Sequence, residues 1–524
     1  MSNKTAGNLL KATIGVSLFT IASKVFGFIR EALVAAYYGS NSATDAYFLA
    51  QNMPKMLFPA MCNSLSAAFL SIYVSKSVQE SDLEGDKFAS KALTVSGMIA
   101  ILLSVIGIIF AQWIVPVFAP GFDAETALIA TKLTKIVMLS FILLMSQCMF
   151  AAILNARKLF VRVQLGSILL NVVIIASIFM FGDRKDVAIL TWATVIGHTC
   201  QNILLFIFAR KRFKFSMPKN LFDSDVKRML RLAVPILLGN SVYQINNIVD
   251  KNLASNLGEG AVSALSYSGT LNLLVVAVFI TSLTTVLYPT LTRNAAEGNT
   301  DEYSSNLLNS ISMIGIVIIP ISIITFIFSD DIVRIVYERG EFDPEATRLT
   351  SAALKYYALG FVFTGVREMM IKGFYARENS KTPMINGIIA VGVNIVASVI
   401  LSRYMGIAGI ALGTAISGLL AAVLLLISMR RDLESVRISD KKKSLLSMLA
   451  AGIVCTGVLI GVDKLLISFS DMGTLGTLLR FVAAIVVGGG AYVAVLMLTK
   501  CEEVTMIAKY AKKMLSKFKG KKAE

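Results

Sequence analysis

The sequence predicts an all-α polytopic membrane protein with about fourteen transmembrane helices, arranged as two six-helix lobes plus two C-terminal helices. Three observations predict it. Of the 524 residues, 56% are hydrophobic and only 16% are charged, and the mean hydropathy is +0.71, too apolar for a large soluble surface. Apolar runs of about twenty residues, the length that spans a bilayer as helix, recur along the chain. Short motifs also return at a spacing of 220 residues.

In chain order, the apolar runs place helices near 12–38, 45–75, 88–112, 126–155, 160–182, 186–209, 229–251, 259–291, 305–328, 346–374, 383–402, 407–429, 444–466 and 474–499. Several exceed the bilayer thickness, which implies tilt, kinks or extension beyond the membrane. The first run is unusual, because Lys24, Arg30 and Glu31 sit inside the otherwise apolar stretch Ile14–Tyr38. A charge at membrane depth costs at least ~2.5–3.5 kcal/mol, so it faces a wet cavity or a partner. At roughly 100° per residue, Ser17, Thr20, Ser23, Lys24, Gly27, Arg30 and Glu31 share one arc of the helix, while Leu18, Ile21, Ala22, Val25, Phe26, Ile29 and Leu33 fill the other. One side is built for lipid or protein and the other for something polar or anionic.

Loop cations set the orientation. The loops after the second, fourth, sixth, tenth and twelfth spans carry Lys76 and Lys87, Arg157 and Lys158, Arg210–Arg231, Arg377 and Lys381, and Arg430–Lys443. The loops after the first and third spans carry none. By the positive-inside rule both termini are expected in the cytoplasm; Arg334 and Arg339, diluted by acids, are a partial exception. The net charge of +17 is thus a matter of topology and anionic-lipid contact, including the lysine-rich tail from Lys500 to Lys522, and no nucleic-acid partner is expected. The five cysteines are scattered with no C-x-x-C pair and read as small hydrophobes rather than a disulfide or metal framework. No cleavable signal peptide is expected at the N-terminus.

Phe122-Asp123-Ala124-Glu125 recurs as Phe342-Asp343-Pro344-Glu345, and Ala156-Arg157 as Ala376-Arg377, both 220 residues on. Asn171-Val172-Val173 resembles Asn394-Ile395-Val396 with three residues of slippage. Six helices per repeat is an even number, so the lobes share orientation about an axis along the membrane normal. The expected divisions are 1–215 and 216–436 for the lobes, 437–500 for the last two helices, and 501–524 for a basic tail. Two facing lobes are a transporter architecture. A membrane-embedded enzyme is disfavoured, since the outer loops are short and no His/Asp cluster is present. Against a passive scaffold stand the intramembrane charges.

Ser23-Lys24-Val25-Phe26-Gly27-Phe28-Ile29-Arg30-Glu31, followed by Gly39 and Ala43-Thr44-Asp45-Ala46-Tyr47-Phe48, resembles the signature of the MurJ (MviN) lipid II flippases within the MOP exporters. Phe374–Pro383 is similar to that family's F-Y-A-R-x-x-x-K-T-P loop, and Ile245–Ala264 with Ala264-Leu265-Ser266-Tyr267 to its helix 7–8 region. The resemblance covers nearly the whole chain. It implies a flippase that moves undecaprenyl-pyrophosphate-linked peptidoglycan precursor (lipid II) to the outer leaflet of the bacterial plasma membrane by alternating access. The alternatives are a flippase for another polyprenyl-linked oligosaccharide and, behind it, a MATE-like small-molecule exporter. A polar head and pyrophosphate need a cationic, wet cavity, while the lipid tail can lie in lipid or in a side groove. The resemblance assigns that tail groove to the last two helices. It also implies a protein acting as a monomer among membrane lipids, in contact with cell-wall synthesis machinery.

By position, the resemblance puts Ser23, Lys24, Arg30 and Asp45 at the substrate cavity. Lys24 stands where the family usually has arginine, which keeps the charge and loses the bidentate fork. Phe58, Asn63 and Thr270 stand where the family usually carries arginine, glutamate and arginine, and Lys55 is the candidate to compensate for Phe58. The resemblance further implies a sodium site of Asp250, Asn394, Ser398 and Thr414, oxygen ligands suited to a hard cation, with Ser398 in place of a carboxylate; membrane-potential coupling is the alternative. Arg480 is read either as a phosphate contact near the groove or as a snorkelling side chain.

Overall fold

The computed structural model describes residues 3–157, 159–210, 213–216, 220–433, 436, 438–466, 473–501 and 503–504. Within its helices, the side chains of 3–18, 55–58, 60, 78, 235–236, 238–243, 438, 440 and 473–475 lie outside the described residues. The basic tail beyond residue 504 lies outside them as well.

Among the described residues the chain is helical without strands. The helices are α1 (Asn3–Tyr38), α2 (Ser42–Gln79), α3 (Asp82–Ile109), α4 (Ala111–Phe118), α5 (Ala124–Ala156), α6 (Phe160–Phe181), α7 (Val187–Arg210) and α8 (Ser224–Ser255). They continue as α9 (Ala261–Val275), α10 (Ser282–Ala296), α11 (Thr300–Ile327), α12 (Ser329–Tyr337), α13 (Pro344–Ala376), α14 (Lys381–Met405), α15 (Ile407–Asp432), α16 (Lys442–Leu465) and α17 (Gly473–Leu498). A π-helical stretch, Val276–Thr281, joins α9 to α10. Ten of the described helices are long and apolar enough to cross a membrane. α1, α2, α8 and α13 are not among them, and α13 carries Lys355, Arg367, Glu368 and Lys372 along its length.

The expected spans fall on these helices, the one at 259–291 running through α9, the π-helical stretch and α10, and α4 and α12 are additions. In α4, Ala111-Gln112-Trp113-Ile114-Val115-Pro116-Val117-Phe118 is so apolar that it reads as the tail of the preceding span. The backbone breaks at Phe110, with φ −90° and ψ 4°. α12 is short and amphipathic, with Asp330, Asp331 and Arg334 among apolar residues. The two occupy equivalent places in the repeat. α3 and α11 are both 28 residues long, and α5 and α13 both 33. Asp123 starts α5 by accepting the amides of Glu125 and Thr126 at 3.2 and 3.4 Å, and Asp343 accepts that of Ala346 at 2.7 Å. These are side-chain N-caps, which satisfy amides that a helix start leaves unpaired.

The chain forms two compact units, one of Met1–Ser266 with Tyr337–Ala346 and one of Tyr267–Val336 with Thr347–Glu524. In the first, α2 packs against α3, α5 and α8, and α1 against α6. Its core stacks Phe69 on Tyr73 and Phe88 at 5.2 and 5.6 Å between ring centres, with Met145, Met149, Val226 and Met229 around them. Asp223 caps α8 and meets Lys91 at 2.5 Å. Burial raises the Asp223 pKa, but Lys91 and the Val226 amide outweigh it and hold the carboxyl below its usual range.

In the second unit, α14 pairs with α15 and α16 with α17, and α11 packs on α16. Phe328, Met448, Cys455, Leu459 and Tyr492 form the core that holds α16 and α17. Below it, buried Glu503 binds Lys441 at 2.8 Å and Ser444 at 2.7 Å. Burial opposes ionisation there, yet these bonds lower the Glu503 pKa to about 2. Arg480 of α17 is buried and paired with Asp331 of α12, with Asp463 of α16 at 3.6 Å. Of its two readings, neither holds; it is an ion-paired brace.

The cysteine expectation is also corrected. Cys62 of α2 and Cys148 of α5 are joined as a disulfide, with Cα atoms 5.9 Å apart. They are 86 residues apart in sequence, so only the packing of α2 on α5 reveals the pair. Cys200, Cys455 and Cys501 are free.

Candidate functional site

The polar arc of α1 faces α6. Arg30 donates from Nη1 to Asn171 Oδ1 at 3.0 Å and from Nη2 to Glu31 Oε1 at 2.6 Å. Asn171 in turn donates to the carbonyls of Ser167 and Ser23, at 3.0 and 3.4 Å. Gly27 sits over this amide; a Cβ there would lie 3.8 Å from Asn171 Nδ2. Guanidinium has five N–H donors, and Glu31 and Asn171 engage two, so three remain for an anion. The side chain keeps 20% of its exposure. Ser23 is half-buried, and Lys24 is exposed with no ion pair among the described residues. The cationic arc thus holds one anchored fork and one exposed ammonium. The side chains of Lys55 and Phe58 lie outside the described residues. Asn63 is exposed and Thr270 half-buried.

Asp45 is placed differently from a solvated cavity group. It is buried in the first turn of α2, behind the Asn41–Thr44 capping box. Its carboxylate accepts the amide of Gly260 at 2.8 Å and that of Ser263 at 2.7 Å, so it caps the start of α9 from another helix. Around it, Ser40 donates to the Gly260 carbonyl at 3.0 Å, and the Ser42 amide meets Glu259 at 3.0 Å. Nearby, Gly121 bonds Ser255 at 3.2 Å and Asn252 bonds the Val117 carbonyl at 2.9 Å. The Glu341 amide donates to the Ala36 carbonyl at 2.9 Å. Gly260 has φ +77°, and a Cβ there would stand 2.8 Å from the Ser40 carbonyl oxygen, so only glycine lets the two backbones close. This end of the first unit is a latch built chiefly from backbone groups.

The expected cation ligands fall in both units. In the first, Asp250 is buried; Asn246 donates to its Oδ2 at 3.4 Å, and its Oδ1 has no partner among the described residues. In the second, Asn394 donates to Thr414 and to Ser417, each at 3.3 Å. Asn394 Oδ1 and Ser398 Oγ are buried and likewise unpartnered. Buried acceptors without donors are costly. Amide, hydroxyl and carboxylate oxygens of this kind suit a hard monovalent cation, so the donor set fits sodium. Among the described residues no cluster of three His, Cys, Asp or Glu side chains offers a transition-metal site.

The second unit also carries an apolar groove of about 510 Å³, lined by Ile316, Val317 and Pro320 of α11 with Gly489, Tyr492 and Leu496 of α17, among others. Nearly all of its wall is hydrocarbon, and its shape suits an alkyl chain.

Sequence reasoning missed the role of Asn171, which served only as a repeat marker, and missed Ser417 and Asn246. An amide in the middle of the apolar helix Phe160–Phe181 was a usable signal, because a buried amide needs partners. That its partner would be Arg30, 141 residues away, was not visible.

The sequence model described as Lipid II flippase MurJ matches residues 34–484. A probable lipid II flippase MurJ from Rhizobium tropici is 30% identical over 511 residues, covering 92% of this chain and 95% of its own length. A solved structure titled lipid II flippase MurJ, inward closed conformation, matches with a TM-score of 0.79 at 26% identity, over 93% of this chain and 98% of that one. An inward-facing MATE multidrug transporter of the MOP superfamily shares the fold with a TM-score of 0.67 at 15% identity, over 81% of this chain and 98% of its own.

Proposed function

This chain belongs to the lipid II flippase MurJ family, a family of transporters rather than enzymes, and on that premise we propose that it is a lipid II flippase. It moves undecaprenyl-pyrophosphate-linked peptidoglycan precursor from the cytoplasmic to the outer leaflet by alternating access. The observation that carries the reading is Arg30, a half-buried guanidinium in the largely apolar helix α1 with three N–H groups unengaged among the described residues. Glu31 and Asn171 offset part of the cost of placing that charge there, and the remaining N–H groups suit a pyrophosphate, which accepts charge-assisted bonds of this geometry.

Lys24 adds the second cation and Lys55 the third. The groove between α11 and α17 takes the polyprenyl tail, since an alkyl chain loses nothing by leaving lipid for hydrocarbon walls. With both termini in the cytoplasm, as the loop cations favour, the Asp45 latch lies at the outer end. We read the protein as a monomer that hands its product to the cell-wall synthesis machinery.

For the resting cation we propose sodium held in the second unit by the oxygens of Asn394, Ser398 and Thr414. Sodium is expected to raise the thermal midpoint of the purified protein, and Asn394→Ala to abolish that rise. No sodium dependence in the unaltered protein would remove the site.

The function itself is tested by depletion in the native cell and identification of the lipid-linked precursor that accumulates inside. Lipid II is the expected answer. Accumulation of a different polyprenyl-linked glycan, with lipid II unchanged, would overturn the substrate.

A further inference from the structure

Asn171 bonds the proposed anion-binding guanidinium through its carbonyl oxygen and anchors itself through its amide nitrogen to two backbone carbonyls, Ser167 on its own helix and Ser23 on α1. A side chain held on both flanks has one orientation. The guanidinium it holds is fixed on a second side by Glu31 at 2.6 Å. Together these contacts leave Arg30 no freedom to swing.

The internal repeat says what this asparagine is for. At the 220-residue offset, Arg30-Glu31 returns as Asp250-Lys251, the same dyad with its charges exchanged. Asn171 returns as Asn394, three residues beyond that offset. Asn394 Oδ1 is buried and lacks a donor among the described residues, as does Asp250 Oδ1. In the first repeat the asparagine oxygen meets a cation that the chain itself supplies, the Arg30 guanidinium; in the second the residue at the place of Arg30 is a carboxylate, and the asparagine oxygen has no donor among the described residues.

We propose that Asn171 is the positioning residue for Arg30, fixing which edge of the guanidinium meets the pyrophosphate of the lipid-linked substrate. The proposal rests on the flippase reading above, in which Arg30 touches that group. Without Asn171, the guanidinium is held by Glu31 alone and folds back onto it, so its fork no longer faces the ligand.

The test is a double-mutant cycle on the full-length protein, with lipid II affinity measured by native mass spectrometry and transport by precursor accumulation in cells. Asn171→Ala is expected to weaken lipid II binding about tenfold, the worth of one hydrogen bond to a charged group. On an Arg30→Ala background the same change should add nothing. Asn171→Gln, which keeps both the acceptor for Arg30 and the amide donors, should recover part of the lost affinity. The reactivity of Arg30 toward phenylglyoxal should rise in Asn171→Ala and fall back toward the unaltered value in Asn171→Gln. This last readout does not depend on substrate. A tenfold loss that persists on the Arg30→Ala background would overturn the proposal, as would unchanged binding or unchanged Arg30 reactivity in Asn171→Ala. So would a loss that merely follows a lowered thermal midpoint. If Arg30→Ala itself transports normally while Asn171→Ala alters reactivity, the flippase reading of Arg30 fails and the positional coupling stands.

Discussion

Asp45 binds two backbone amides with one carboxylate, Gly260 through Oδ2 and Ser263 through Oδ1. An amide side chain has one oxygen where a carboxylate has two, so Asp45→Asn must release one of them and set an NH₂ against a backbone N–H. Leaving a buried donor unsatisfied costs about 1–3 kcal/mol. That cost falls on the latched arrangement and not on an arrangement in which the two segments have parted. The expected outcome is a folded variant with greater labelling of a cysteine placed at Ser263 by a membrane-impermeant thiol reagent, and slower transport; unchanged labelling would show that the latch does not depend on this carboxylate. Arg30 was legible in the sequence because an ionised group within an apolar run stands out. The work done by Asp45 was not, since an acid in the first turn of a helix has a local explanation in that helix's own amides. Gly260 and Ser263 are 215 and 218 residues away.

At the scale of elements, α16 and α17 are held to the rest of the second unit by two polar braces and one apolar core. One brace, Arg480 with Asp331 and Asp463, ties α17 to α12 and α16. The other, Glu503 with Lys441 and Ser444, ties the end of α17 to the start of α16. The Glu503 carboxyl has a folded pKa of about 2, below the ~4.3 of an unfolded glutamate. Its contribution to stability is therefore complete above the unfolded value and is lost as pH falls toward the folded one. The thermal midpoint of the unaltered protein should fall between pH 4.5 and 2 (roughly,) more steeply than that of Glu503→Gln, which starts lower at neutral pH. Parallel curves would rule out the clasp. The long helices were readable from apolar runs alone. α4 and α12 were not, because in α4 the hydropathy continues across the break at Phe110 and in α12 the run is too short and too charged to register.

For the whole molecule, the flippase reading needs a hydrocarbon track for a tail far longer than the membrane is thick. Gly489 offers a direct test, since it lines the α11–α17 groove and a Cβ there would meet nothing within 4 Å. Gly489→Leu should fold at least as well, because leucine is a better helix former by about 1 kcal/mol, yet it fills the track. Transport of lipid II is expected to fall while a short-chain analogue still moves; equal loss of both would point away from a tail groove. The fold class was legible at this scale because a membrane forces backbone polarity into helices, and the repeat was legible because two motifs kept one offset. The exchange of charge between the repeats escaped notice, since matching looks for sameness and Arg30-Glu31 against Asp250-Lys251 is a difference.

That difference bears on ancestry. A chain doubled from one half begins with two identical dyads, and as long as they stay identical the halves are interchangeable. Once Arg30-Glu31 and Asp250-Lys251 had parted, neither half could stand in for the other. A pair of first halves would carry the Arg30–Asn171 arrangement twice, and a pair of second halves the unpartnered Asp250 and Asn394 oxygens twice; the single chain carries one of each.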